Sequence, residues 1–340
     1  MGDLLDSRYA KQILFRPVGE KGQAKISGSE VTIIGLGALG TVSCSHLCRA
    51  GVGRLKLVDR DFVEKNNLQR QLLFDEYDAE QRLPKAMAAA KKLIAANSEI
   101  TIEPLIADVS PGNIETIIKD SDLVIDGTDN LETRFLINDA CLKNNIPWIY
   151  TAVLGSVGML MVIVPHQTSC LRCYFDQLPP VGALPNCDTE GVLSMTTGTI
   201  ASLQCAEALR LLTGFEPTPG LLYLDVWQRQ FDNFDLERRQ DCPACGEGRY
   251  EFLDGSAFSW TNVLCGRNAV QIMPSSEQNI DLKQLETNLK QAGHASFNGF
   301  LLSFKTGQHE IVLFPNGRAI IRGTSDEAEA RNLYARFIGT

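Results

Sequence analysis

Between Val31 and Gly40 the chain reads V-T-I-I-G-L-G-A-L-G. Gly35, Gly37 and Gly40 stand in G-x-G-x-x-G spacing after a short β-branched apolar run and before a helical pattern that reaches about Ala50. In such a turn the first glycine permits the tight bend, the second lets a phosphate approach the backbone, and the third lets helix and strand pack closely. The helix then points unpaired N–H groups and the positive end of its dipole at an anion. Asp59 closes the next apolar run, Arg54 to Val58, roughly twenty residues beyond the glycines, where a carboxylate accepts from ribose hydroxyls. These residues alone fit an NAD-dependent oxidoreductase as well as an ATP enzyme.

Further polar residues follow in order. Asn67 and Arg70, in N-L-Q-R-Q, are three apart and share one face of a helical turn, where an amide and a guanidinium can hold phosphate oxygens. Lys85 follows Pro84 at the start of an Ala-rich helix, a poor place for a cation unless an anion lies nearby. The run D-G-T-D-N, Asp126 to Asn130, ends a strand, where open α/β sheets bind their ligands. Of its two aspartates, Asp126 is expected to cap the helix that begins at Leu131 and Asp129 to bind magnesium, which takes one or two carboxylates beside nucleotide phosphates.

Two C-x-x-C pairs, Cys170 with Cys173 and Cys242 with Cys245, supply four thiolates. Together they fill a tetrahedral structural zinc site that has no open position. The long separation exceeds zinc-ribbon spacing, so the metal would staple a subdomain closed; a redox dithiol gives the duplicated pair no role. Between the pairs lies a Pro- and Gly-rich crossing loop, Leu178 to Glu190, which carries Cys187.

β-rich runs alternate with helical patterns up to about residue 248, as in a βαβ architecture. Residues 1–30 read as a surface helix and a turn around Gly19 to Gly22. From 249 to 340 strands and helices no longer alternate: one strand is expected over Val263 to Ile272, then a helix, three strands and a last helix with a Thr324 to Glu327 capping box. This predicts a separate small α+β domain of unknown role. Within it, Cys265 reads as a buried small hydrophobe.

Hydrophobic content of 44% and charged content of 21% describe an ordinary globular chain. With 32 basic against 41 acidic residues the net charge is -9, the wrong sign for a nucleic-acid partner. The N-terminus has neither the basic start nor the apolar stretch of a signal peptide, and no run is long enough to span a membrane, so a cytoplasmic location is expected.

Taken together, R-Y-A-K-Q (Arg8 to Gln12), the glycine turn, N-L-Q-R-Q, the Pro-Lys helix start, D-G-T-D-N and the paired C-x-x-C motifs, in this order, resemble the ThiF/MoeB/HesA family, relatives of the ubiquitin-activating enzyme. The resemblance covers about residues 7–246. The tail L-C-G-R-N-A-V-Q-I looks most similar to the extended ThiF proteins of Bacillus-like bacteria, which puts ThiF ahead of MoeB.

The resemblance implies a Rossmann-like ATP-binding fold with a mixed sheet and a structural zinc site, and ATP rather than NAD at Gly35, Gly37 and Gly40. It implies adenylation of the C-terminal glycine of a ubiquitin-like sulfur carrier, ThiS or alternatively MoaD; a relative acting on a peptide or small-molecule carboxylate is the remaining variant. Asp59 would bind ribose, Asn67, Arg70 and Lys85 the phosphates, and Asp129 the magnesium. Lys11 stands where many relatives have an arginine that reaches the phosphate site of a second subunit, and Cys187 matches a loop cysteine that bonds to the carrier. A homodimer and a cysteine desulfurase complete the implied partners.

Overall fold

The computed structural model describes residues 8–179, 190–257, 261–264, 268–273 and 279–338. The chain divides into two compact units, Met1–Phe258 and Ser259–Thr340.

The first unit is built on eight strands: β1 (Glu30–Ile34), β2 (Arg54–Asp59), β3 (Thr101–Ile106), β4 (Leu123–Asp126), β5 (Trp148–Leu154), β6 (Val157–Ile163), β7 (Leu221–Asp225) and β8 (Gln230–Phe234). Their order is β3-β2-β1-β4-β5-β6-β7-β8. The first five pair in parallel, and β5 to β8 run antiparallel. A mixed sheet results, as expected.

Strands buried on both faces read as continuous apolar runs, and here each face feeds its own core. Val31, Ile33, Leu55, Leu57, Leu123 and Ile125 pack with the helices Gly40–Ala50, Lys85–Ala96 and Ser194–Thr213. Ile34, Val58, Val124, Trp148 and Tyr150 turn to the other side, against the helix Leu131–Lys143 and the cysteine pairs. That helix is buried on almost every side, including the polar residues Arg134, Asn138 and Asp139. Each of the three must find a partner inside the protein.

Gly19 to Gly22 does not form a turn. The helix Gly19–Gly28 runs through it, because Gly22 lies against Thr213 and Val18 and its missing side chain lets the helices meet closely. Glycine acts there as a packing surface and not as a breaker.

The second unit is a six-stranded antiparallel sheet, β9 (Thr261–Leu264), β10 (Ala269–Ile272), β11 (His294–Phe297), β12 (Leu302–Thr306), β13 (His309–Leu313) and β14 (Ala319–Arg322), in the order β11-β12-β13-β14-β10-β9. The helices Leu282–Leu289 and Glu327–Phe337 cover one face through Leu282, Leu289, Ala330 and Tyr334. Two sequence expectations change here. The single strand over Val263 to Ile272 is a hairpin, with Leu264 opposite Ala269; Asn268, just before the second strand, takes a left-handed φ of 43° that no strand interior adopts. The last helix is capped by Asp326, which accepts from Ala328 N and Glu329 N, while Thr324 Oγ1 accepts from Asp326 N. The helix thus begins two residues later than the Thr324 capping box implies, with the Asp326 carboxylate as its cap. Cys265 lies outside the described residues.

Candidate nucleotide site and cysteine cluster

The strand order reverses between β1 and β4, and the loops leaving their carboxyl ends form the crevice in which open α/β sheets bind ligands. Gly35, at φ 89°, donates its N–H to Val58 O at 2.8 Å, and Gly127 donates to Ile34 O at 2.8 Å. A Cβ on Gly35 would lie 2.6 Å from Gly127 O, and one on Gly40 or Gly127 would overlap Gly35 O. Three glycines from two loops therefore touch backbone to backbone. Gly37 is different: a Cβ there would meet only Gly127 O, at 3.8 Å. Packing in the fold does not require a bare backbone there.

Asp59 sits beside this turn and is buried; its Oδ2 accepts from Leu36 N at 2.6 Å and its Oδ1 from Asp61 N at 2.7 Å. Each carboxylate oxygen retains a lone pair for ribose. Burial pushes the Asp59 pKa up, and the nearby Lys85 ammonium opposes it. Lys85 opens its helix with Pro84 at the N-cap, is 5% exposed, and holds its Nζ 3.6 Å from Asp61 Oδ2. The anion that a cation at a helix start requires is thus supplied by the Asp59 and Asp61 pair.

Asn67 and Arg70 share the turn that begins with the 3-10 segment Lys65–Asn67. Asn67 is buried and donates to Asn66 Oδ1 at 3.1 Å; Arg70, half-buried, donates to Asn66 O at 3.0 Å. Asp129 is exposed at the loop after β4, and its carboxylate makes no hydrogen bond among the described residues. It lies in the field of Arg60, whose pKa burial would lower but which Asp108, Asp61 and Asp129 raise on balance. An exposed carboxylate with no hydrogen-bond partner among the described residues, on the loop that leaves the carboxyl end of β4, has the donor chemistry of a magnesium ligand.

Asp126 is not a helix cap. Asn130 caps the Leu131–Lys143 helix, accepting from Glu132 N and Thr133 N. Asp126 is fully buried and takes Arg134 Nε at 2.9 Å, Thr128 N at 2.9 Å, Thr128 Oγ1 at 2.7 Å and Thr151 N at 3.3 Å. Gln204, from the long helix, donates to Asp126 O, to Ile149 O and to Thr151 Oγ1, and accepts from Ser43 Oγ. Asp61, Arg134 and Gln204 were not evident from spacing. The one available signal is polar residues inside otherwise apolar helices.

Lys11 is exposed on a short helix, Ala10–Ile13. Its neighbours fix that helix to the opposite end of the sheet: Gln12 donates to Ala50 O, Tyr9 OH accepts from Asn97, and Arg8 donates to Ala96 O, all at the C-terminal ends of helices that start beside the site. The structure does not bring Lys11 to its own glycine turn. Cys187 lies outside the described residues.

Cys170, Cys173, Cys242 and Cys245 converge, with Sγ separations of 3.9, 3.6 and 3.4 Å for the 170–173, 170–242 and 173–245 pairs and all four sulfurs within 4.8 Å of one another. Four sulfurs about 2.3 Å from a tetrahedral ion stand about 3.8 Å apart. The donor set and its spacing fit zinc. Asn138 and Asp139 anchor both arms of the cluster, accepting from Leu171 N at 3.0 Å and Phe252 N at 3.0 Å. Among the described residues no helix is long and apolar enough to cross a membrane.

A glycine turn at the switch point with a buried carboxylate beside it, a lysine at a helix start and a four-cysteine cluster are the frame of a Rossmann-type nucleotide-binding protein of the adenylating kind. The chain belongs to the ThiF family, whose model matches residues 9–244. A sulfur carrier protein ThiS adenylyltransferase of Bacillus subtilis is 42% identical over 338 residues, spanning 98% of this chain and 100% of the relative. The protein of the same description in Escherichia coli is 38% identical over 249 residues, 72% of this chain and 97% of the relative. Among solved structures, Escherichia coli MccB bound to MccA-N7isoAsn superimposes with a TM-score of 0.62 at 20% identity, over 72% of this chain and 77% of that one, a likeness of fold alone.

Proposed function

We propose that this protein adenylates the C-terminal glycine carboxylate of a ubiquitin-like sulfur carrier of the ThiS type, activating it for sulfur transfer in thiamine thiazole biosynthesis. The observation that carries the reading is 42% identity along nearly the whole chain to a ThiS adenylyltransferase.

A carrier carboxylate oxygen bonds to the α-phosphorus of ATP, the bond from that phosphorus to the bridging oxygen breaks, and pyrophosphate leaves with the electron pair. Anion meets anion, so the protein contributes placement and positive charge and no nucleophile of its own. Gly37 leaves room for the phosphates, the Gly40–Ala50 helix turns its N-terminus to them, and Asp59 accepts from the ribose. Lys85, released from Asp61, and Arg70 with Asn67 neutralise and orient the phosphate oxygens. Magnesium held by Asp129 supplies further charge neutralisation when bound, and zinc held by the four cysteines is structural.

Lys11 reaches the phosphates only from a second copy of the chain, which makes the active form a homodimer. Cys187 is assigned to a thiol-linked adduct with the carrier, and a cysteine desulfurase to the supply of sulfur. The test is ATP–pyrophosphate exchange with purified ThiS and, separately, MoaD. Exchange with ThiS alone is expected; exchange with MoaD alone moves the reaction to molybdopterin synthesis, and none with either, despite ATP binding, overturns the carrier reading.

A further inference from the structure

We infer that Arg134 is a positioning residue that, through Asp126 and Thr128, presents the Asp129 carboxylate to nucleotide-bound magnesium; this rests on the reading of Asp129 given above. Asp129 is exposed, on a loop of three residues between the end of β4 and the cap residue Asn130. Such a loop would leave the carboxylate free to wander unless its backbone were held. It is held at the adjacent residue. Thr128 N and Oγ1 both donate to Asp126 Oδ1, and Thr128 O accepts from Arg134 Nη2 at 2.6 Å. Both backbone polar groups of Thr128 are thereby fixed, and the position of the next Cα with them.

The two anchors are themselves immobilised. Arg134 Nε donates to Asp126 Oδ2 at 2.9 Å, and Nη2 donates also to Thr151 O at 2.8 Å, while the guanidinium stands 5.3 Å over the Tyr150 ring. Asp126 O is held by Gln204 Nε2 at 2.9 Å. The side chains of Arg134 and Asp126 are 9% and 0% exposed.

A buried ion pair is poor evidence of a stability device, because apolar residues of similar volume commonly do as well. What apolar residues cannot supply is direction. The planar fork of an arginine addresses one carboxylate and two carbonyls at fixed angles, whereas a lysine presents a point charge. Groups that orient a metal ligand in this way typically change metal affinity by about 10- to 100-fold when replaced.

The experiment measures ATP binding to the full chain with magnesium and with EDTA, for the wild type and for Asp129→Asn, Arg134→Lys and Thr128→Ala, with melting temperature as the check on folding. Magnesium is expected to tighten ATP binding to the wild type. Arg134→Lys should lose about tenfold of that gain, as Asp129→Asn does, while binding in EDTA stays within about twofold. Thr128→Ala, which removes only the hydroxyl tie to Asp126, should lose part of the gain, and it decides the matter if Arg134→Lys does not fold. A full magnesium gain in folded Arg134→Lys, or in Thr128→Ala where it alone folds, overturns the inference, as does an equal loss with and without magnesium. A gain kept by Asp129→Asn overturns instead the reading of Asp129 on which the inference stands.

Discussion

At the scale of single residues, the four glycines around the switch point do two different jobs. Gly40→Ala places a methyl group against Gly35 O, backbone against which nothing can shift. It is expected to cost about 3 kcal/mol or more of stability. Gly37→Ala meets nothing closer than 3.8 Å and is expected to leave the melting temperature almost unchanged, while ATP binding weakens at least tenfold, about 1.4 kcal/mol. Parallel melting and ATP titrations separate the two, and equal effects on both variants would refute the division. The spacing of these glycines is readable in sequence because consecutive residues build the turn. Gly127 is not, since its reason is a contact with Gly35 made only when β1 and β4 lie side by side. Asp126 was misassigned for a related cause: from sequence an Asp near a helix start reads as a cap, and the Arg134 that claims it becomes visible only once the helix is folded against β4.

At the scale of elements, the helix Leu131–Lys143 connects the two chemically important parts of the first unit. Its first turn follows Asp129, and Asn138 and Asp139 hold both arms of the cysteine cluster. The strands and long helices were readable from apolar runs, and the cysteine pairs from their repetition. The polar residues of this helix were not, because their partners come from segments far along the chain. Burial raises the Asp139 pKa from the ordinary 3.8 to about 7, against the opposing bond from Phe252 N. The folded state therefore binds this proton more tightly than the unfolded chain. Stability contributed by the neutral form is complete below about pH 4 and is lost as pH rises towards 7, on the order of 4 kcal/mol at most. Asp139→Asn keeps an acceptor for Phe252 N and never ionises, so its stability should exceed that of the wild type increasingly between pH 5 and 8 in denaturant titrations. A constant difference across that range would refute the assignment. Cys170→Ser should reduce zinc, expected at about one per chain, and lower the melting temperature; metal analysis that finds a folded, zinc-free wild type excludes the structural role.

At the scale of the whole molecule, the R-Y-A-K-Q segment and the glycine turn occupy opposite ends of one sheet. If Lys11 serves the site of another copy, then mixing inactive Lys11→Ala with inactive Lys85→Ala should restore activity, in roughly one quarter of sites at equal, freely exchanging proportions. Exchange assays on the mixture test this, and no recovery after confirmed subunit exchange would count against a shared site. The Escherichia coli relative spans 72% of this chain, whereas the Bacillus subtilis relative spans 98%. The family match, residues 9–244, lies within the first unit. The hairpin at Leu264 and Ala269 escaped the sequence reading because alternation continues across it, and alternation does not encode where a strand turns back.

The interlocked glycines also bear on how the molecule is made. Gly35 emerges early in synthesis and Gly127 much later, and the contact between them needs β4 beside β1, with β2, β3 and their helices lying between the two in sequence. Loop closure of that length is an entropic expense met late, when the sheet condenses. A nucleotide that binds the closed glycine cradle stabilises the native molecule. ATP is expected to slow unfolding of the native chain while leaving the early phases of refolding untouched.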